Sequence, residues 1–209
     1  MPYIKQFISI ALLLTVVTGC TAGKQESKPA NQPPTDQTSA NQAPSGPSSQ
    51  QASASSSDIQ VNFTQEGDHP EEAIIQLMKE AKDTLDIAIY SLNYEPIIDA
   101  IVDAAGRGVH VRVITDQEHA AEKGKQQNAL KRIAKAGISI KMNSHDGKMH
   151  LKMLVADSKS VEAGSFNYLK SSVEENDDVA LIIHDPSVGK QFEDAYNQMW
   201  NDQNRFTDY

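Results

Sequence analysis

The chain has 209 residues, 39% hydrophobic and 22% charged, with 19 basic against 28 acidic side chains and a single cysteine. Those figures exclude a disulfide-built scaffold, a polytopic membrane protein and a globally basic nucleic-acid binder, and they leave room for one ordinary soluble domain.

Residues 1–19 carry one lysine, Lys5, then the mostly apolar run Phe7–Val17, then Thr18 and Gly19 ahead of Cys20. The run is too short to span a bilayer and reads as the core of a signal peptide followed by small residues at a cleavage site. Val17-Thr18-Gly19-Cys20 resembles the lipobox of bacterial lipoproteins, in which the cysteine is acylated and becomes the new N-terminus. The resemblance implies export and a membrane anchor through Cys20, against the alternative of an ordinary secretory peptide. Thr21, where an Asp would act as a retention cue, leaves the choice of membrane open. Residues 21–57 contain only Ala, Gly, Asn, Pro, Gln, Ser and Thr apart from Lys24, Glu26, Lys28 and Asp36. Such a stretch cannot bury enough surface to offset its ordering entropy, so residues 20–57 are expected to be a flexible tether and residues 58–209 the folded domain.

Ile59–Phe63 reads as a strand, and Asp68-His69-Pro70-Glu71-Glu72 opens a helix to about Lys82 with Ile74, Ile75, Met78 and Ala81 on its apolar face. Thr84–Tyr90 is a strand, a helix follows from Glu95-Pro96 to Gly106, and Val109–Asp116 is a third strand. A helix from Glu122 to Ala136 ends at Gly137. Ile138–Asn143, Met149–Asp157, Val161–Ser165 and Val179–His184 read as strands, before a last helix from Pro186 to Asp202. Strands alternating with helices and then clustering predict one α/β domain, a mixed sheet with helices on both faces.

The chemistry concentrates in the strand Met149–Asp157. Alternation puts His150 and Lys152 on one face. Gly164-Ser165-Phe166-Asn167 then places a hydroxyl and an amide at the end of the next strand, able to return to the same site. The pattern His150-x-Lys152-x4-Asp157-x6-Gly164-Ser165-x-Asn167 resembles the HKD signature of the phospholipase D superfamily, without an insertion. Phe63, Ile87–Tyr90 and Arg107–Asp116 also look like family segments, and the resemblance covers nearly all of residues 59–202. With one motif, the chain looks most like the bacterial Nuc-type endonucleases of that superfamily, homodimers that build one active site from two copies of the motif.

Phosphodiester cleavage needs a nucleophile for phosphorus, donors for the non-bridging oxygens and an acid for the leaving oxygen. A neutral imidazole suits the first role, and Lys152 with Asn167 the second. The resemblance implies that His150 forms a phosphohistidine while the partner subunit's His150 protonates the leaving group. It also implies a carboxylate that orients the imidazole. The family position is usually a glutamate and falls here on Asp178, with Glu175 as the competing candidate. Asp157 reads as structural, since seven residues of strand separate it from His150 by more than about 20 Å of path; Gly164 belongs to the same structural part of the motif. No other histidine has a lysine two residues on. His145-Asp146 with His150 is the one plausible metal cluster and lacks a repeated ligand spacing, so chemistry without metal or other cofactor is expected. Tyr196 and Trp200, four apart, read as core; Tyr168 could stack on a base or pack.

Residues 58–209 carry 16 basic and 26 acidic groups, unfavourable for holding a polyanion at long range. Between Lys123 and Lys152, however, eight basic residues face one acid, Asp146, which makes either a basic wall beside the site or a solvated helix face. Three functions follow: an endonuclease with little sequence preference acting on DNA more than RNA, a phospholipase D acting on lipid head groups, and a non-catalytic nucleic-acid binder. The complete motif disfavours the last, and the single-motif resemblance favours the first.

Overall fold

Ile59, Val61 and Phe63 alternate with polar residues along β1 (Ile59–Phe63), the first element of the computed structural model, which describes residues 59–122 and 124–209. The expected signal segment, lipidated Cys20 and tether lie outside the described residues. At the middle of the sheet, β2 (Thr84–Ile89) is apolar on both faces apart from Thr84 at its start and Asp86, as suits a strand covered on both sides. It pairs in parallel with β3 (His110–Thr115), and β3 in turn with β4 (Ser139–Asn143). On its other side β2 pairs antiparallel with β5 (Lys152–Ala156), followed by β6 (Ser160–Gly164) and β7 (Val179–His184), all antiparallel. With β8 (Phe206–Asp208) the order is β1-β7-β6-β5-β2-β3-β4-β8.

The helices α1 (Pro70–Glu80), α2 (Glu95–Gly106) and α4 (Gly124–Lys135) cover one face. Ile74, Met78, Ile97, Ile101, Leu130 and Ile133 pack there on Leu85, Ile87, Val113 and Leu154, all essentially inaccessible to solvent. Each such Ile or Leu contributes about 1.5–3 kcal/mol by leaving water. On the opposite face α6 (Pro186–Asn201) lays Tyr196, with Phe192, Met199 and Trp200 at its margins, on Ala88, Ile114, Met153, Val155 and Val161. Asp185 caps this helix by accepting the N–H groups of Ser187 and Val188 at 2.7 and 3.3 Å. Under it lies a bidentate ion pair from Arg112 to buried Asp86, at 2.7 and 2.6 Å, with the guanidinium against the Tyr196 and Trp200 rings. The mixed sheet with helices on both faces is the architecture the element pattern predicts.

The differences from the sequence reading have local causes. The helix expected over Glu122–Ala136 forms as α4, and a separate short helix, α3 (Gln117–Glu122), precedes it, opened where Asp116 accepts the His119 N–H in a turn the apolar periodicity does not mark. At the start of α1 the cap is His69, at φ 50, while Asp68 turns back to accept the Phe63 N–H. The strand expected over Met149–Asp157 forms only at Lys152–Ala156; Asp157 has φ 53 and begins a turn, and Met149–Leu151 is held by loop contacts. The periodicity also gives no sign of α5 (Lys170–Glu174) or β8, which are too short to show one.

Candidate active site

The carboxyl ends of β2 and β3 lie beside the amino end of β5, the place where open α/β sheets bind ligands. Lys152 is the first residue of β5 and pairs with Ile89, the last of β2. Register therefore brings the HKD strand to the end of the central strand. His150 and Leu151 sit just before it in a loop pinned at three points. The Met149 N–H donates to Asp116 at 2.9 Å, and the Tyr90 N–H donates to the Leu151 carbonyl at 3.0 Å. Asn143 accepts the Gln117 N–H and donates to the Gly147 carbonyl, where the chain turns at φ 85.

Lys152 and His150 meet directly. The buried Lys152 ammonium donates to the His150 carbonyl at 2.8 Å and lies 3.1 and 3.2 Å from the two imidazole nitrogens. Partial desolvation, then Lys152 and Lys148, hold the His150 pKa below the usual histidine range, against the pull of Asp116. These surroundings favour the neutral imidazole, whose lone pair is available for attack. Burial likewise lowers the Lys152 pKa, and Asp178 opposes this.

Ser165 and Asp178 form the far rim. The Ser165 hydroxyl donates to the Asp178 carboxylate at 2.8 Å and accepts the Val179 N–H at 3.1 Å, which ties the end of β6 to the start of β7. This approach requires Gly164: a Cβ there would stand 2.0 Å from the Val179 carbonyl oxygen. Asn176 also donates to Asp178, at 3.4 Å. Within one chain, neither Asp178 nor Glu175 hydrogen-bonds His150 among the described contacts. Asn167 is half-buried, and its buried Oδ1 has no partner among the described residues. Asp157 lies at the other end of β5, where its carboxylate accepts the backbone N–H groups of Lys82, Asp83 and Thr84 at 2.8–3.2 Å.

Several residues at the site are not legible as functional in the sequence. Tyr90 contacts two imidazoles, with His119 stacked at 4.4 Å and His150 tilted at 4.5 Å. The ammonium groups of Lys152 and Lys148 lie 5.1 and 5.5 Å from its ring centre. Ser91 hydrogen-bonds His119. Gln126 of α4 secures the strand end by donating to the Tyr90 carbonyl at 3.1 Å and accepting the Leu92 N–H at 3.0 Å. The one available signal was position: Tyr90 and Asp116 directly follow the parallel strands β2 and β3.

Tyr168 packs instead of facing a substrate. It is fully buried and donates its hydroxyl to Glu162 at 2.8 Å; burial pushes the Glu162 carboxyl up to about 7. The basic stretch does not form a continuous wall. Lys148 and Lys152 reach the site, but Arg132 is bound to Glu95 and Asp99, Lys141 donates to the Trp200 carbonyl, and Lys123 lies outside the described residues. For a cation, the described residues bring together His69, Glu71 and Glu72, whose donor atoms lie within 4.8 Å of one another. Acidic groups in a first helical turn also have an ordinary cause in the helix dipole. His145 does not join His150; it sits edge-on to Phe206.

Residues 74–200 match the family model described as "Cardiolipin synthase, PLD-like domain". The chain is similar to a mitochondrial cardiolipin hydrolase of Chlamydomonas reinhardtii, 26% identical over 118 residues that cover 56% of this chain and 52% of that one. It is similar to a phospholipase D of Rickettsia bellii, 28% identical over 57% of this chain and 56% of that one. The chain thus spans between half and three-fifths of these curated relatives. Among solved structures, the phospholipase D family member Nuc from Salmonella typhimurium superposes with a TM-score of 0.67 and 28% identity, over 72% of this chain and 97% of Nuc.

Proposed function

The chain belongs to the phospholipase D-like family of phosphodiesterases, and from that premise we propose that it is a metal-independent endonuclease with little sequence preference, working through a phosphohistidine in a site shared by two subunits. The observation that carries this reading is the contact between the His150 imidazole and the buried ammonium of Lys152. That pair supplies the nucleophile and the cation that phosphoryl transfer needs. Nuc-type likeness over nearly the whole of Nuc supports nucleic acid as substrate over phospholipid.

In this reading the His150 nitrogen attacks phosphorus, forming the N–P bond as the P–O ester bond breaks. The leaving oxygen takes a proton from the partner subunit's His150, which enters the step as imidazolium. Lys152 and the Asn167 amide stabilise charge on the non-bridging oxygens. Water then attacks phosphorus and gives its proton to the partner's imidazole, and the N–P bond breaks to restore His150. Each proton has a source and a sink, which requires two histidines of opposite protonation.

A phospholipase D activity is the second reading. It is favoured by the cardiolipin hydrolase and phospholipase D names of the relatives and by Leu151, 43% exposed beside His150. Export and anchoring through Cys20 fit either substrate, and loss of membrane association in Cys20→Ser tests the anchor. Full chain incubated with plasmid DNA in excess EDTA, beside phospholipid vesicles and a His150→Ala control, tests the function. Cleavage of DNA alone, lost in the variant, is expected; cleavage of lipid alone would overturn the nuclease reading.

A further inference from the structure

β1 ends at Phe63, the largest apolar side chain on that strand, which is nevertheless 48% exposed. The backbone around it is fixed. Asp68 accepts the Phe63 N–H at 3.0 Å, and Gly67 turns the chain at φ 82. The Thr64 hydroxyl accepts the Asp178 N–H at 2.9 Å and donates to the Asn176 carbonyl at 2.6 Å. Phe63 itself pairs with Val179 in the β1–β7 ladder. An exposed aromatic ring on such a frame is a contact surface with little left to order on binding.

The ring walls a cavity of about 440 Å³, together with Val179, Ser165, Glu66, Asp177 and Asp178. This cavity adjoins the site. The ladder pairs Met153 with Ala163, which sets the end of β6, and with it Ser165, alongside Lys152. Asp178 holds the Ser165 hydroxyl at 2.8 Å and acts electrostatically on the Lys152 ammonium. The lining limits what can enter. Three carboxylates with no basic side chain among them oppose a phosphate. An acyl chain offers those carboxylates no donor. A quaternary ammonium suits the charge, but its recognition uses a cage of aromatic rings, and this cavity has one. A flat group with apolar faces and N–H donors along its edge satisfies both the ring and the carboxylates. Nucleobases have that form: they stack on an aromatic side chain, and an exocyclic amino group donates to a carboxylate, which only accepts.

We propose that this cavity is a nucleobase subsite, in which the nucleoside beside the reacting phosphate lays its base on Phe63 and turns its amino edge toward Glu66, Asp177 and Asp178. The proposal rests on the nuclease reading above and narrows its substrate. A base can reach Phe63 only when it is out of a stacked duplex, so a single strand is favoured over a paired one. Cytosine, adenine and guanine carry the amino group; thymine and uracil do not. One such contact discriminates at one position, which leaves the enzyme tolerant of sequence elsewhere.

The test measures kcat/KM of the full chain on single strands of equal length: oligo(dC), oligo(dT) and a strand of abasic nucleotides. The variants are Phe63→Ala, Phe63→Trp, and Glu66→Gln combined with Asp177→Asn. All three positions are exposed, so the fold should persist; circular dichroism checks it, and Phe63→Leu serves if the alanine unfolds the chain. The wild type should prefer oligo(dT) to the abasic strand by at least about fivefold, and oligo(dC) to oligo(dT) by about three- to tenfold. Phe63→Ala should bring the first ratio to about one, Phe63→Trp should keep it, and the Gln–Asn pair should remove the second ratio alone. A wild type that cuts the abasic strand as fast as oligo(dT), a first ratio unchanged by Phe63→Ala, or a dC preference that survives the Gln–Asn pair overturns the subsite and leaves the nuclease reading intact. A wild type that cuts none of the strands and hydrolyses phosphatidylcholine vesicles overturns both.

Discussion

The ring of Tyr90 lies 4.5 Å from the His150 imidazole and 4.4 Å from that of His119. Two ammonium groups also approach it, from Lys152 and Lys148. An aromatic face attracts such cations by about 0.5–2 kcal/mol each, so the ring gathers the nucleophile and the charges around it. Tyr90→Phe keeps the ring and should hold kcat/KM within about threefold, whereas Tyr90→Leu should lower kcat by about 10–100-fold with little change in KM. Steady-state kinetics of the two variants checks this, and equal losses in both would assign the effect to the hydroxyl.

His150 is exposed, and its imidazole contacts the Lys152 ammonium and the Tyr90 ring at the surface of the site, so His150→Ala should leave the thermal midpoint nearly unchanged. Turnover should fall by at least about 10³-fold, as for removal of a nucleophile. Trapping of a phosphorylated protein from substrate, seen in the wild type and absent in the variant, identifies the intermediate.

Lys148 is one of the charges that depress the His150 pKa. The attacking form is the neutral imidazole, so activity falls as pH drops through that pKa. Lys148→Met removes a depressing charge, raises the pKa and should move the acidic limb of kcat/KM to higher pH. Titration of the His150 ring by NMR should move in the same direction; a limb displaced to lower pH would contradict the assignment.

Glu162 is fully buried, and burial pushes its carboxyl from the ordinary 4.5 up to about 7. Its raised pKa means that the folded state keeps a proton the unfolded chain has lost. The resulting stability is fully present below about pH 4.5 and is lost as pH rises to about 7, by about 3 kcal/mol. Denaturant titrations across that range should show the decline, and Glu162→Gln, which stays neutral, should flatten it.

Gly164→Ala places a methyl against the Val179 carbonyl, at 2.0 Å before relaxation. The strands must part, at a cost of about 1–3 kcal/mol. The Ser165–Asp178 bond should open with them, so turnover is lost along with stability. Thermal melting and turnover measured on the same sample check both effects.

The alternating and helical periodicities were enough to place the strands, the main helices and the mixed sheet, because a side chain that must face a core repeats at the period of its element. The HKD spacing was legible for a similar reason. His150 and Lys152 lie in one local segment, and Ser165 and Asn167 follow directly after the adjoining strand β6, so their placement depends on little beyond one turn. The separation of Asp157 from His150 also followed from the length of a strand.

Tertiary structure alone decided the surroundings of that motif. Tyr90 and Lys152 lie on strands far apart in the chain, and only the pairing of Ile89 with Lys152 brings them together. Asp116, His119 and Gln126 enter the site through a parallel strand and the helices after it, contacts that no local periodicity encodes. The eight charges between Lys123 and Lys152 read alike in sequence. Their partners separate them: Arg132 is taken up by Glu95 and Asp99 while Lys148 is left at Tyr90. Local pattern determines which face a residue occupies; long-range register determines what it meets there, and the chemistry of this site depends on both.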